Sequence, residues 1–161
     1  MIVLLSVRAG LRAGEIAALE WSMVLDARGR VSTLVTLPGR IVKYGLGRRV
    51  PMHHELRSAL MQLLRGTLIK VGPVVRSQRG TAMTAGGIVN WFTWACRAAG
   101  LEGCSSHSGR RTFVTRAARL VHRAGGSLRD VQQLAGHRSI ETTQAYIDGD
   151  HDAQRRLVRM M

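Results

Sequence analysis

Two short segments of the sequence pair a basic side chain with a neighbour that could help it bind an anion. In segment 9–16, Arg12 and Glu15 stand three residues apart, which places them on one helical face and predicts an ordinary ion pair. In segment 106–113, His107 and Arg110 have the same spacing at the start of a predicted helix, where free backbone N–H groups attract anions. Either pair alone is typical of a solvated helix surface.

A third segment, 134–146, adds a possible nucleophile. His137 lies at the turn that closes one predicted helix, and Tyr146 follows it nine residues later. A phenol can form covalent intermediates, although a tyrosine on a short amphipathic helix usually belongs to the core. The other tyrosine, Tyr44, lies in a turn whose surroundings resemble no nucleophile segment.

Taken together, these segments resemble the tyrosine recombinase, or phage integrase, family. Its pattern is G-L-R-x-x-E, a hairpin lysine, H-x-x-R, L-G-H and a tyrosine nine residues after that histidine. The residues that match are Arg12, Glu15, His107, Arg110, His137 and Tyr146. Their order and spacing agree over nearly the whole chain, which makes the combined pattern far more specific than any of its parts.

The hairpin lysine of the family is identified here as Lys43. In the family this lysine stands eight residues before the proline of a Val-Pro pair that ends a strand, and Lys43 stands at that distance from Pro51. Only Lys43 and Lys70 are lysines among the 24 basic residues, so chance placement is improbable. An ammonium can release a proton when its surroundings disfavour its charge, whereas a guanidinium effectively cannot.

The resemblance implies metal-free chemistry on a DNA phosphodiester. Tyr146 would attack phosphorus to form a 3′-phosphotyrosyl link, and Lys43 would protonate the departing 5′-oxygen. A 5′-hydroxyl from a partner strand could then restore the backbone, so that neither ATP nor another cofactor is expected. The resemblance also implies double-stranded DNA as partner and self-association on it, as a tetrameric synapse.

The remaining matched residues have implied roles around the phosphate. Arg12 and Arg110 would hold its two non-bridging oxygens through their permanently charged forks. His107 would donate to the phosphate or help to deprotonate the nucleophile, and His137 would hydrogen-bond a phosphate oxygen. Glu15 would orient Arg12 or a catalytic histidine instead of taking part directly.

The bulk composition supports a nucleic-acid partner. The net charge of +14 is larger than solvated surface charge alone explains. A chain this basic should bind polyanions, because each phosphate that it neutralises releases condensed counterions. Aromatic residues make up 4%, too few for a membrane-surface helix with large apolar anchors. Cys96 and Cys104 form no disulfide framework and, with His107, match no common zinc spacing. We expect a cytoplasmic protein, bacterial or phage-encoded and associated with the nucleoid, and no metal site.

The elements that must position these residues are mainly α-helices with one small antiparallel sheet, the α+β arrangement of the recombinase catalytic domain. Two β-rich runs, 31–37 and 49–52, predict the sheet, and helical periodicity fills most of the remaining chain. The last predicted helix contains Tyr146. We expect residues 1–161 to form one catalytic domain without the N-terminal domain that usually clamps the DNA.

Two other functions fit the same residues. A type IB topoisomerase uses similar chemistry to relax supercoils without recombining them. A DNA-binding module that has lost catalysis would share the charge and the fold but would form no covalent intermediate.

Overall fold

The computed structural model describes residues 1–67, 70–146 and 158–161. In this part the chain forms seven main helices, three short 3-10 turns and one two-stranded sheet. The helices are α1 Ile2–Ala9, α2 Ala13–Ala17, α3 His54–Arg65, α4 Ala85–Ala98, α5 Ser108–Leu120, α6 Leu128–Ala135 and α7 Ile140–Gln144. The strands are β1 Leu34–Leu37 and β2 Arg48–Pro51, and the 3-10 turns are Trp21–Met23, Gly39–Ile41 and Val121–Ala124. This confirms the expected mainly helical fold with a small antiparallel sheet.

Local signals in the sequence set the helix ends. The Thr84 hydroxyl accepts a hydrogen bond from Gly87 N and begins α4. Ser127 and Asp130 form a reciprocal capping box at the start of α6, and Gly136 ends that helix in the left-handed conformation. One expectation was wrong: α7 ends at Gln144, so Tyr146 follows the helix in a turn instead of lying within it.

The sheet directs one arginine inward. In the antiparallel register Val35 pairs with Val50 and Leu37 with Arg48. Since side chains alternate across a strand, Arg48 shares a face with the buried Val50, whereas Arg49 faces solvent. The strands are shorter than the expected runs, because Val31 pairs only through an isolated bridge to Leu25.

Two apolar clusters hold the helices. The larger cluster joins α1, α2, α3, α4 and the sheet, and its fully buried members include Leu5, Leu11 and Trp21. The smaller one joins α5 and α6 through Val114, Ala118, Val121, Val131 and Ala135, with Tyr146 packed against it. Phe113 contacts both clusters and so connects the two halves.

Helices α1 and α5 approach closely because two glycines face side chains across the contact. A Cβ atom on Gly10 would lie 2.8 Å from Phe113 Cε1, and one on Gly109 would lie 3.0 Å from Ser6 Cβ. Gly10 also has φ of 63°, a conformation that favours glycine. A glycine at position 109 therefore has a packing reason. No helix in the described ranges is long and apolar enough to cross a membrane.

Candidate active site

Arg110 lies at the centre of the candidate site. Arg110 is 3% exposed. Its guanidinium donates to Gly10 O at the end of α1, and it donates to Ala135 O at the end of α6 at 2.6 Å. Burial, together with the charges of Arg12 and Arg48, lowers the pKa of Arg110 to about 10. Arg110 therefore remains cationic at neutral pH and connects three helices at one point.

Arg12 and Glu15 form the second part of the site. Arg12 is the residue before α2, where Glu15 Oε2 accepts a hydrogen bond from its backbone N at 2.9 Å and Glu15 Oε1 pairs with its Nη1 at 3.1 Å. Burial by itself raises the pKa of Glu15, but the hydrogen bonds and charge of Arg48, aided by Arg12, hold it below its ordinary value. Glu15 therefore stays a carboxylate and holds the side chains of Arg12 and Arg48 in place.

Arg48 is a site residue that the sequence analysis missed. Its two terminal nitrogens donate to Glu15 Oε1 at 2.8 Å and Oε2 at 2.9 Å, and its Nε donates to Leu134 O at 3.1 Å. The side chain is 6% exposed, so this is a buried bidentate ion pair. The period of β2 could have revealed it, because an arginine two residues before the buried Val50 must point toward the core.

His137 follows the left-handed cap of α6. Gln132 Nε2 donates to the backbone oxygens of His137 at 3.2 Å and Arg138 at 3.3 Å, which fixes the turn. The residue is 9% exposed, and its Nδ1 lies 3.0 Å from Thr143 Oγ1. Burial and the positive charges of Arg110, Arg12 and Arg48 lower its pKa to about 4, so His137 is neutral at pH 7.

Tyr146 completes the central group. Its ring stacks on His137 with 5.6 Å between centroids and 19° between planes, and it packs against the smaller apolar cluster. It is also near enough to Arg110 for its charge to act on the pKa of that guanidinium. The fold thus brings together Arg12, Arg110, His137 and Tyr146. We call Arg12, Glu15, Arg48, Arg110 and His137 the buried cluster.

The other two expected catalytic residues, which we call the surface pair, lie outside this group. Lys43 is exposed on the loop between the strands, with its Nζ 5.1 Å from the ring centre of Tyr44. His107 is exposed before α5, with its Nδ1 3.5 Å from Ser106 Oγ. Within the described residues neither side chain hydrogen-bonds to the buried cluster. The catalytic roles of all six residues stay predictions.

A cavity of about 570 Å³ is lined by Lys43 of the surface pair and by Arg48 and His137 of the buried cluster. Gly136 and the loop residue Tyr44 also line it. Five of the residues around it carry positive side chains: Lys43, Arg48, Arg49, Arg129 and Arg138. With Asp130 as the single acidic residue in its lining, the cavity suits a polyanion.

One group of side chains has the composition of a metal site. Ligand atoms of His53, His54 and Glu55 lie within 4.8 Å of one another. However, Arg8 Nε binds Glu55 Oε2 at 2.7 Å, so the carboxylate already has a cationic partner. We therefore assign this group to an ion pair at the start of α3.

Comparison with known proteins gives a consistent result. The model of the phage integrase family matches residues 1–152. A tyrosine recombinase XerC of Roseiflexus sp. (strain RS-1) is 29% identical over 160 residues, covering 93% of this chain and 47% of that protein. The crystal structure of XerA recombinase is similar with a TM-score of 0.75 and 26% identity, over 99% of this chain and 56% of the other. A lambda integrase dimer bound to a core site shares the fold, with a TM-score of 0.70 and 19% identity over 93% and 52% of the chains. The chain spans about half the length of these relatives.

Proposed function

The chain belongs to the phage integrase family, and we propose that it breaks and rejoins DNA strands at specific sites through a 3′-phosphotyrosyl intermediate on Tyr146. The observation that carries this proposal is the meeting of Arg12, Arg110, His137 and Tyr146 at one place in the fold. The buried guanidinium of Arg110, the half-buried guanidinium of Arg12 and a half-buried phenol stacked on a neutral imidazole form a set suited to one phosphodiester.

In the proposed reaction the phenol oxygen of Tyr146 attacks phosphorus while the bond from phosphorus to the 5′-oxygen breaks. Arg12 and Arg110 hold the non-bridging oxygens and stabilise the charge that develops on them. Lys43 gives its proton to the departing 5′-oxygen, and His107 takes the phenol proton or donates to the phosphate. The reverse steps, with a 5′-hydroxyl as nucleophile, reseal the strand and free the tyrosine.

The proposed substrate is double-stranded DNA, and we propose that the protein self-associates on it as a tetrameric synapse. The basic cavity and the net charge of +14 support the first part. XerC and XerA, which are named as recombinases, support the activity. A cytoplasmic location follows from a DNA substrate, with the nucleoid as its site of action.

The test is covalent capture on a nicked duplex that carries a bridging phosphorothiolate at the cleavage position. We expect the native chain to form a protein–DNA adduct and Tyr146→Phe to form none, with DNA binding unchanged. Tyr44→Phe is the matched control, because Tyr44 is the other tyrosine and is exposed, and it should react as the native chain does. An adduct with Tyr146→Phe would disprove the assignment of the nucleophile.

A DNA-binding module without cleavage is the second candidate. The exposed positions of Lys43 and His107, apart from the buried cluster, favour it. It predicts salt-sensitive DNA binding and no adduct from the native chain. Relaxation of supercoiled plasmid without recombinant product would instead indicate a topoisomerase-like activity.

A further inference from the structure

The side chain of Thr143 contacts the imidazole of His137. Thr143 lies in α7 and is fully buried, and its Oγ1 is 3.0 Å from His137 Nδ1. His137 is itself buried and stacks on Tyr146 through its ring face. The hydroxyl thus contacts one ring nitrogen, Nδ1, and not the other, Nε2.

The position of the imidazole proton decides what His137 can do. Because burial and the positive charges of Arg110, Arg12 and Arg48 lower its pKa to about 4, the ring is neutral near pH 7 and carries a single proton. If that proton is on Nδ1, the free Nε2 is an acceptor and could serve as a base. If it is on Nε2, this nitrogen is a donor and can bind an anionic oxygen.

A count of donors and acceptors distinguishes the two cases. In the described part of the chain the Thr143 hydroxyl hydrogen-bonds to His137 Nδ1. If Nδ1 carried the proton and donated it, the buried hydroxyl hydrogen would have no acceptor there, which is a costly arrangement. We infer that Thr143 donates to Nδ1 and thereby fixes the His137 proton on Nε2.

The inference deepens the proposed function and rests on it for its consequence. His137 with a proton on Nε2 is a hydrogen-bond donor to a non-bridging phosphate oxygen. It cannot accept the phenol proton of Tyr146, although the two rings are stacked. Thr143 is therefore a positioning residue that keeps His137 a hydrogen-bond donor to the phosphate. Another group must then accept the phenol proton of Tyr146.

The tautomer can be measured without DNA, by ¹⁵N NMR of the labelled full chain at pH 7. The His137 signals are assigned by their loss in His137→Gln. We expect Nδ1 to resonate as an unprotonated nitrogen that accepts a hydrogen bond, and Nε2 as a protonated one. A protonated Nδ1, or a mixture of both forms, would overturn the inference whatever the chain does to DNA.

Variants connect the tautomer with cleavage. Thr143→Val keeps the shape but removes the donor, so the hydrogen-bond shift of Nδ1 should vanish and covalent capture should slow about tenfold with DNA affinity unchanged. Thr143→Ser should restore both the shift and the rate. Thr142→Val removes an exposed hydroxyl one residue away, which contacts only Ser139 among described side chains, and should change neither.

The two proposals can fail separately. The expected ¹⁵N pattern with no adduct from any chain would support the tautomer and contradict the proposed function. Adduct formation at the native rate by a folded Thr143→Val chain, with its Nδ1 signal unmoved, would contradict the role of Thr143 and leave the proposed function in place.

Discussion

The buried cluster and the surface pair are built in opposite ways. Arg110 and Arg48 are desolvated, and each binds backbone carbonyls or a carboxylate from distant parts of the chain. Lys43 and His107 are exposed and make only local contacts within the described residues. The groups expected to hold the phosphate are thus fixed by the fold before any substrate binds, whereas the groups expected to move protons lie exposed at the surface.

The difference follows from what each group must do. A charge that stabilises a transition state acts best when it is already in place and shielded from water. Burial of a charged group is less costly when its donors have hydrogen-bond partners. Two of the five N–H donors of Arg110 bind carbonyl oxygens here. A group that delivers a proton needs access to the leaving oxygen instead, and Lys43 is exposed beside a basic cavity that His137 also lines.

The largest effect is expected from Arg110→Lys, which keeps the charge but loses the fork. A single ammonium nitrogen cannot occupy both positions from which the two guanidinium nitrogens donate to Gly10 O and Ala135 O, so we expect at least one of these hydrogen bonds to be lost. We expect covalent capture to fall ~10³-fold and the free energy of unfolding in urea to fall by about 1–3 kcal/mol. Arg111→Lys, at the exposed neighbouring position, is the control and should behave as the native chain. Native rate and stability in Arg110→Lys would mean that charge alone defines the buried cluster.

The surface pair should show the reverse pattern, with loss of activity and no loss of stability. Lys43→Ala removes an exposed side chain, so the urea midpoint should stay within experimental error. Cleavage of an ordinary phosphodiester should slow by about 10²-fold, because the 5′-oxygen leaves without a proton. A bridging sulfur leaves without protonation and should restore the rate.

Lys70→Ala is the matched control, since Lys70 is the other lysine and is exposed. It should cleave both substrates at the native rate. Equal slowing of Lys43→Ala on oxygen and sulfur substrates would assign Lys43 to phosphate binding instead of proton transfer.

The sequence predicted the helices and the candidate site on different grounds. Periodicity and caps gave the helices, because those signals are local: Ser127 and Gly136 bound α6 as expected. The meeting of Arg12, Arg110, His137 and Tyr146 was expected from motif resemblance alone, and nothing local in the sequence required it.

The unpredicted features depend on long-range geometry. Arg48 becomes a site residue only because β2 packs beside α2 and α6, which brings Glu15 and Leu134 O within reach. The contact of Gly109 with Ser6 needs the approach of α1 to α5, which no residue of either helix specifies alone. Likewise, the turn that holds Tyr146 follows an early end of α7 that no glycine or proline marks.

A smaller effect is expected where the buried cluster depends on backbone geometry. Gly10→Ala places a Cβ against Phe113 at a φ of 63°, so we expect about 2–3 kcal/mol lower stability. The shift of Gly10 O should also move Arg110 and slow cleavage roughly tenfold. Gly14→Ala is the matched control, because nothing lies near its Cβ position and α2 gains ~1 kcal/mol of helix propensity. Similar stabilities for the two variants would contradict the close α1–α5 contact.

The smallest effect is a pH dependence of stability that belongs to the buried cluster. The pKa of His137 falls from 6.5 in the unfolded chain to about 4 in the fold, because burial and three arginines disfavour its charge. The unfolded chain therefore binds the proton first, and stability is lost as pH falls from 6.5 toward 4. Between pH 7 and pH 5 we expect a loss on the order of 2 kcal/mol or less from this group.

The measurement is a series of urea unfolding curves between pH 7 and pH 5 for the native chain and His137→Gln. The variant should lose less stability over this range, whatever its stability at pH 7. Burial lowers the pKa of His53 as well, and this contributes in the same direction in both chains, so only the difference between the slopes reports on His137. The exposed His122→Gln should keep the native slope. Equal slopes of unfolding free energy against pH for the native chain and His137→Gln would show that the fold does not hold the imidazole neutral. The contrast between the buried cluster and the surface pair would then not include His137.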